Sequence, residues 1–245
     1  MFSFEARIPT SHGAQLPLFQ QLVCVAAVQA IRNLYTDIVR TSMTSIILDS
    51  VDNHLHSLFG LLLLAQGISS VPDVRIKWPN DVYVNGKHKI GGIICSSQII
   101  KEEFSILTGT GINIQNVSPY FGLNDFTEDT SGTKLSPATL LAMIMNELEA
   151  RWDSFLQHGL SSFQADYENL WLHQNQIVQT KDSAKGQRQG GSGSRRDSIG
   201  EKTLTVKSLS ETGGLLAADA DGQRYDLHPD GNTFDFMNGL IRRKT

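Results

Sequence analysis

The stretch Val74-Arg75-Ile76-Lys77-Trp78-Pro79-Asn80-Asp81-Val82-Tyr83-Val84 constrains the fold of this chain more than any other. Val74 and Ile76 alternate with Arg75 and Lys77, the period of a strand with one buried face. Pro79 has no N–H to give to a sheet ladder, so the strand ends or bulges there. The residue before a proline is pushed to extended geometry, which keeps Trp78 strand-like. Asn80 and Asp81 suit the turn that follows, because their short side chains hydrogen-bond nearby backbone. Val82, Tyr83 and Val84 open a second strand, and Asn85-Gly86 signals a tight hairpin, whose central positions need positive φ. A lysine, an amide and a carboxylate are thus gathered at one strand end, where a rigid scaffold can aim them. Taken alone, Pro-Asn-Asp also reads as an ordinary turn beside a solvated lysine.

Two later stretches add to this. Lys87-His88-Lys89-Ile90-Gly91-Gly92-Ile93-Ile94 and Leu107-Thr108-Gly109-Thr110-Gly111-Ile112-Asn113-Ile114 set glycines inside apolar strand patterns. Glycine weakens a strand, so it often marks close approach of a ligand or another backbone. Lys-Trp-Pro-Asn-Asp at 77–81, Lys-x-Gly-Gly-Ile at 89–93 and Gly-x-Gly-x-Asn at 109–113 together resemble the signature of the biotin–protein ligase (holocarboxylase synthetase) family. The run Leu227-His228-Pro229-Asp230-Gly231-Asn232-Thr233-Phe234-Asp235-Phe236 resembles its eukaryotic, plant-like members. The resemblance extends from near residue 1 to the C-terminus.

The resemblance implies an α+β fold: a mixed β-sheet with packed helices, similar to class II synthetases, followed by a small SH3-like β-barrel. The expected division is a catalytic domain over 1–175 and an SH3-like domain over 176–245. It also implies a reaction, the ATP-dependent activation of biotin to biotinyl-5'-AMP and transfer to a lysine of a carboxyl-carrier domain of a biotin-dependent carboxylase. Both steps build negative charge, on the α-phosphate and then on the carbonyl oxygen, so preorganised cations and donors are the physical requirement. By the same resemblance Lys89 and Asp81 are catalytic, and Lys89, Gly92, Ile94, Gly109, Gly111 and Ile112 bind biotin. Lys77, Trp78, Asn80, Asp81 and Asn113 bind ATP, and Asp81 and Asn113 hold Mg²⁺, a hard cation that takes oxygen ligands. Trp78 either stacks on adenine or packs, and Ile94 and Ile112 would look the same as plain core residues.

The family carries a Gly-Arg-rich loop before the opening strand, and the expectation is that this chain lacks it. The alternative function is therefore a catalytically defective, truncated isoform that binds carrier protein or nucleotide without turnover. A lipoate-attachment relative is a third reading, which Lys-Trp-Pro-Asn-Asp disfavours.

Composition excludes other classes. Net charge is −4, with 21 Lys+Arg against 25 Asp+Glu, so there is no basic footprint and nucleic acid is not an expected partner. Cys24 and Cys95 sit in apolar runs and read as free thiols of a reducing compartment. The opening Met1-Phe2-Ser3-Phe4-Glu5-Ala6-Arg7-Ile8 alternates like a strand and lacks the apolar core of a signal peptide. The expected location is cytoplasmic, or organellar if a longer parent carries a transit peptide. No membrane is an expected partner, since the apolar run near 58–64 is well short of the ~20 residues a spanning helix needs.

In order along the chain, Phe2, Phe4 and Ile8 read as one face of an opening strand. Pro17 to Leu34 reads as a helix with Leu18, Leu22, Val25, Ala26, Val28 and Ile31 at helical spacing. Residues 36–64 read as an insertion outside the core. Ser136-Pro137 opens a helix, by the N-cap and first-turn proline rule, and Gly159 ends it. Phe163 to Leu172 reads as a further helix. Short strands follow at Ile177-Val178, Leu204-Thr205-Val206, Leu215-Leu216 and Tyr225-Asp226-Leu227, with turns at Gly213-Gly214 and Asp221-Gly222. Lys185 to Gly200, rich in glycine, serine and arginine, reads as a hairpin tip.

Overall fold

The computed structural model describes residues 1–51, 71–115, 119–126, 135–180, 185–188, 197–198, 200–229, 232–235 and 238–243; within these, 42–51, 185–188, 197–198, 232–233 and 242–243 are described by backbone alone. Two sheets and three α-helices organise these residues. The first sheet holds β1 (Phe2–Pro9), β2 (Val74–Lys77), β3 (Asp81–Val84), β4 (His88–Ile100) and β5 (Glu103–Ile112), in the order β1-β5-β4-β3-β2. Every pairing in it is antiparallel. Asn85 and Gly86 both have positive φ (51° and 66°), as the tight turn between β3 and β4 demands.

One face of this sheet is covered. Val74, Ile76, Val82, Val84, Ile90, Ile93 and Ile106 point there and are buried. Against them lies α1 (Phe19–Val51), whose residues Leu22 to Val28 are all fully buried, with α2 (Pro137–His158) packed beside it. Ser136 caps α2 through its hydroxyl, and Gly159 ends it with φ 56°. The run Thr10–Thr41 is long and apolar enough to cross a membrane, but 67% of its most apolar window is buried inside this fold, as a core helix is.

The helix expected to stop at Leu34 continues to Val51. Residues 33–51 contain no glycine or proline, so nothing local breaks the ladder. Core contact does end close to the expected point. Tyr35 is buried and donates its hydroxyl hydrogen to the Leu123 carbonyl at 2.6 Å, whereas none of residues 36–41 is buried. The remainder of the expected insertion, 52–64, lies outside the described residues.

The second sheet comprises β6 (Ile177–Thr180), β7 (Lys185–Arg188), β8 (Asp197–Ser198), β9 (Lys202–Leu209), β10 (Leu215–Ala218), β11 (Arg224–Leu227), β12 (Asn232–Asp235) and β13 (Leu240–Arg243). Its order is β12-β13-β6-β9-β10-β11-β7-β8, and among the described residues it does not close into a barrel. Among the described residues one pairing between named strands is parallel, β13 on β6 in this sheet, and the first sheet adds an isolated parallel bridge from Ile76 to Trp171. Within the Gly/Ser/Arg stretch β7 and β8 pair antiparallel, Lys185 with Ser198 and Gly186 with Asp197, and the expected tip lies outside the described residues.

A short helix, α3 (Gln164–Leu170), and the strand-like segment after it join the two sheets. Leu172 N–H donates to the Ile76 carbonyl at 2.9 Å, and Leu209 N–H donates to Glu168 Oε1 at 3.0 Å. Gly213, in the β9–β10 turn, presents its carbonyl to both Gln21 Nε2 and Trp78 Nε1, at 3.2 and 3.0 Å.

Candidate active site

The uncovered face of the first sheet carries the candidate residues. Directly opposed residues of antiparallel strands share a face. Lys77 opposes Asp81, Asp81 opposes Gly92, Gly92 opposes Gly111, and Ile94 opposes Gly109. These residues therefore lie on one surface. Lys89 opposes Tyr83 on that same surface, although positions 89 and 92 of a regular strand would face opposite ways. The reason is a β-bulge: the register shifts between Val82 and Tyr83, so that Ile90 and Gly91 together oppose Val82. The extra residue turns Lys89 back towards Gly92 and Asp81. Bulges commonly re-aim a side chain next to a site.

The result is a compact ionic group beside bare backbone. Lys89 Nζ lies 2.6 Å from Asp81 Oδ1, and Lys77 Nζ lies 4.0 Å from Asp81 Oδ2. Lys77 also sits 5.5 Å from the centre of the Tyr83 ring. Two ammonium groups around one carboxylate leave an excess of one positive charge, and the Lys89 side chain remains 52% exposed at the glycine surface. Such a group can hold an anion or stabilise negative charge as it develops.

The glycines differ in what they serve. A Cβ on Gly91 would overlap the Gly111 carbonyl oxygen, so Gly91 is required by the packing of β4 on β5. On Gly92 a Cβ would come within 3.1 Å of Asp81 Oδ1, crowding the carboxylate. On Gly109 and Gly111 it would meet only the Ile94 and Gly92 carbonyl oxygens, each at 3.9 Å, an ordinary contact, and neither residue has positive φ. Nothing in the described fold asks for glycine at 109 or 111. Beside them Ile94 is 70% exposed, whereas Ile112, expected to bind biotin, opposes Gly91 on the helix-covered face and is half-buried near Leu140 and Leu141 of α2.

Other expected site residues have different roles. Trp78 is removed from the ATP set: it is 1% exposed, its indole N–H is spent on Gly213, and Phe234 packs against it edge-on with ring centres 4.9 Å apart. A ring so enclosed cannot stack on adenine. Asn80 braces the turn, its amide donating to the Ile93 carbonyl at 2.7 Å while its own carbonyl accepts from Ile93 N–H at 2.9 Å. Asn113 donates from Nδ2 to the Phe121 carbonyl at 3.3 Å. Asp81 lies two strand spacings, about 10 Å, from Gly111, Asn113 is two residues further along the chain, and both oxygens of Asp81 face lysines. Asp81 and Asn113 do not form a shared metal cage, and no cluster of three His, Cys, Asp or Glu residues exists among the described residues. The structure adds Gly91 and the bulge, which the paired glycines could have signalled, and Tyr167 and His173, which the sequence does not single out. Tyr167 donates its hydroxyl hydrogen to the Pro79 carbonyl at 3.1 Å, and His173 Nε2 accepts from the Trp78 N–H at 3.0 Å. Both cysteines are free thiols, and burial pushes each thiol pKa up.

This fold is that of the biotin protein ligases. The enzyme from Aquifex aeolicus in complex with biotin and ATP superposes with a TM-score of 0.52 at 18% identity, covering 99% of this chain and 78% of that one. Residues 1–113 match the model of the biotin/lipoate A/B protein ligase family. Biotin–protein ligase 1, chloroplastic, of Arabidopsis thaliana is 37% identical over 174 residues, 70% of this chain and 44% of that protein. The human biotin–protein ligase is 28% identical over 240 residues, 95% of this chain and 26% of that protein. The chain thus spans half or less of the length of these curated relatives.

Proposed function

We propose that this chain catalyses the ligation of biotin to protein. In the first step a biotin carboxylate oxygen attacks the α-phosphorus of ATP, the bond to pyrophosphate breaks, and biotinyl-5'-AMP forms. In the second, the amine of an acceptor lysine attacks the anhydride carbonyl, AMP leaves with the bonding pair, and the amine gives up a proton. Lys89 neutralises charge on the biotin carboxylate and the α-phosphate, and Asp81 fixes the ammonium in place. Gly109, Gly111 and Gly92 let the biotin rings lie on backbone, with Ile94 as an apolar wall. Lys77, Asn80 and Asn113 border the phosphate side. Mg²⁺ is commonly carried in by substrate phosphates and one or two carboxylates; the residues here do not build a site for it alone, and no step is assigned to it. The acceptor is the carboxyl-carrier domain of a biotin-dependent carboxylase, and the compartment is the cytoplasm, or an organelle for a parent chain with a transit peptide.

The observation that carries this reading is the glycine surface beside Lys89: two glycines that the fold does not need, next to a cation that it does not bury. Biotin-dependent exchange of pyrophosphate into ATP tests the first step, and transfer to a purified carrier domain tests the second. Exchange driven by lipoate and not by biotin would overturn the choice of substrate; exchange with neither would overturn the activity.

A further inference from the structure

The backbone leading into the Lys77–Asp81 turn is partnered from behind, and its last partner is a side chain. Ile76 bridges in parallel to Trp171, and its carbonyl accepts from Leu172 N–H at 2.9 Å. Two residues on, the Trp78 N–H goes to the imidazole of His173, reaching Nε2 at 3.0 Å. A backbone N–H can only donate, so Nε2 carries no proton. The proton is then on Nδ1, 2.8 Å from Gln176 Oε1, which accepts it. Gln176 is itself tied to the second sheet, its backbone carbonyl accepting from Val206 N–H at 2.9 Å. His173 is 1% exposed, so bulk water cannot take over either bond.

The geometry points to His173 as a positioning residue: its neutral imidazole, fixed in one tautomer by Gln176, holds the Trp78 amide and so sets the turn that aims Lys77 and Asp81 at the glycine surface. What the turn serves rests on the ligase reading; the positioning itself rests on the bonds just described. Burial favours the neutral ring, lowering its pKa to about 4, the Gln176 hydrogen bond opposes this, and the Lys77 ammonium adds to the lowering. Trp78, Trp171 and Gln176, which also contact the ring, are uncharged. Protonation at Nε2 would replace the acceptor with a second donor facing the Trp78 N–H, and the bond would be lost.

The test uses the whole chain. In ¹⁵N-labelled protein, the His173 ring is expected as the neutral Nδ1–H tautomer down to about pH 5, an order of magnitude above the pKa of about 4. The Trp78 amide should be protected from exchange over the same range. His173→Gln keeps an acceptor near the Nε2 position and His173→Phe removes it. The Gln variant should retain Trp78 protection and bind a non-hydrolysable biotinyl-adenylate analogue as the wild type does. The Phe variant, with second-sheet amides still protected, should lose Trp78 protection and bind the analogue about five- to tenfold more weakly, the worth of one hydrogen bond. Wild-type affinity and unmoved Lys77 and Asp81 amide signals in the Phe variant would overturn the role. If that variant fails to fold, the wild-type pH titration decides: an unprotected Trp78 amide at neutral pH, or an Nε2–H tautomer, refutes it. If even the wild type ignores the analogue, the ligase reading fails, and the amide signals of the two variants still judge the positioning.

Discussion

Gly111→Ala separates a glycine kept for a ligand from one kept for the fold. In the structure a Cβ at 111 meets only the Gly92 carbonyl oxygen, at 3.9 Å, so the methyl group fits without displacement. Glycine in a strand interior costs roughly 0.5–1 kcal/mol relative to alanine. The variant should gain about that much stability, which for a chain of this size raises Tm by about 1–4 °C. The same methyl projects from the surface on which biotin is proposed to lie. Forcing one extra carbon into a packed contact costs about 1–3 kcal/mol, equivalent to about 5- to 150-fold weaker binding. Calorimetric melting and equilibrium dialysis against labelled biotin read the two effects independently, and they should move in opposite directions. Gly91→Ala is the contrast: its Cβ overlaps the Gly111 carbonyl oxygen, so it should lower Tm before any ligand is added. A Gly111→Ala protein that melts higher and binds biotin unchanged would show that nothing lies on that surface. One that melts lower would show that the glycine serves the fold.

Other expectations follow from single contacts. Lys89→Ala should cut biotinyl-AMP formation by a hundredfold or more, about the 3 kcal/mol of one preorganised charge contact, with little change in Tm because the side chain is half exposed; wild-type rates would refute its role. Trp78→Phe should cost about 1–3 kcal/mol of stability through lost packing and the lost bond to Gly213, without changing ATP affinity at saturating biotin; weaker ATP binding alone would restore Trp78 to the nucleotide site. His173 carries a pKa lowered from 6.5 to about 4, so the folded state favours its neutral form and the unfolded state binds the proton first. Its contribution is complete above about pH 6.5 and is lost as pH falls to about 4, roughly 3 kcal/mol in all. Denaturant melts of wild type minus His173→Gln isolate that slope from the carboxylates titrating in the same range, and a difference flat with pH would refute the assignment.

Local patterns in the sequence gave reliable elements where the cause is local. Asn85-Gly86, Ser136-Pro137 and Gly159 each specify one backbone geometry, and the structure places a turn, a cap and a helix end at them. The end of α1 was not legible, because residues 33–51 contain no glycine or proline to mark a stop. Trp78 could not be assigned from its motif, since its burial depends on Gly213 and Phe234, 135 and 156 positions away. Lys89 and Gly92 were legible by resemblance as candidates. That they share a face was not, because a two-residue period places positions 89 and 92 on opposite sides and only the bulge reconciles them.

That bulge also explains why the paired glycines are not equivalent. Gly91 lies so close to β5 that a Cβ there would overlap the Gly111 carbonyl oxygen. The extra residue turns Lys89 onto the open face, and Gly92 then leaves room there for the Asp81 carboxylate to reach the Lys89 ammonium at 2.6 Å. Front and back of the turn are supported separately: the bulge fixes Lys89 from within the first sheet, while Tyr167, His173 and Gly213 fix Trp78 and Pro79 from beyond it. An ion pair on an exposed surface would ordinarily contribute little. Here its partners are held by backbone on both sides, so its geometry is set before any substrate arrives, and this is the condition under which a charged group lowers a reaction barrier without reorganising during the step.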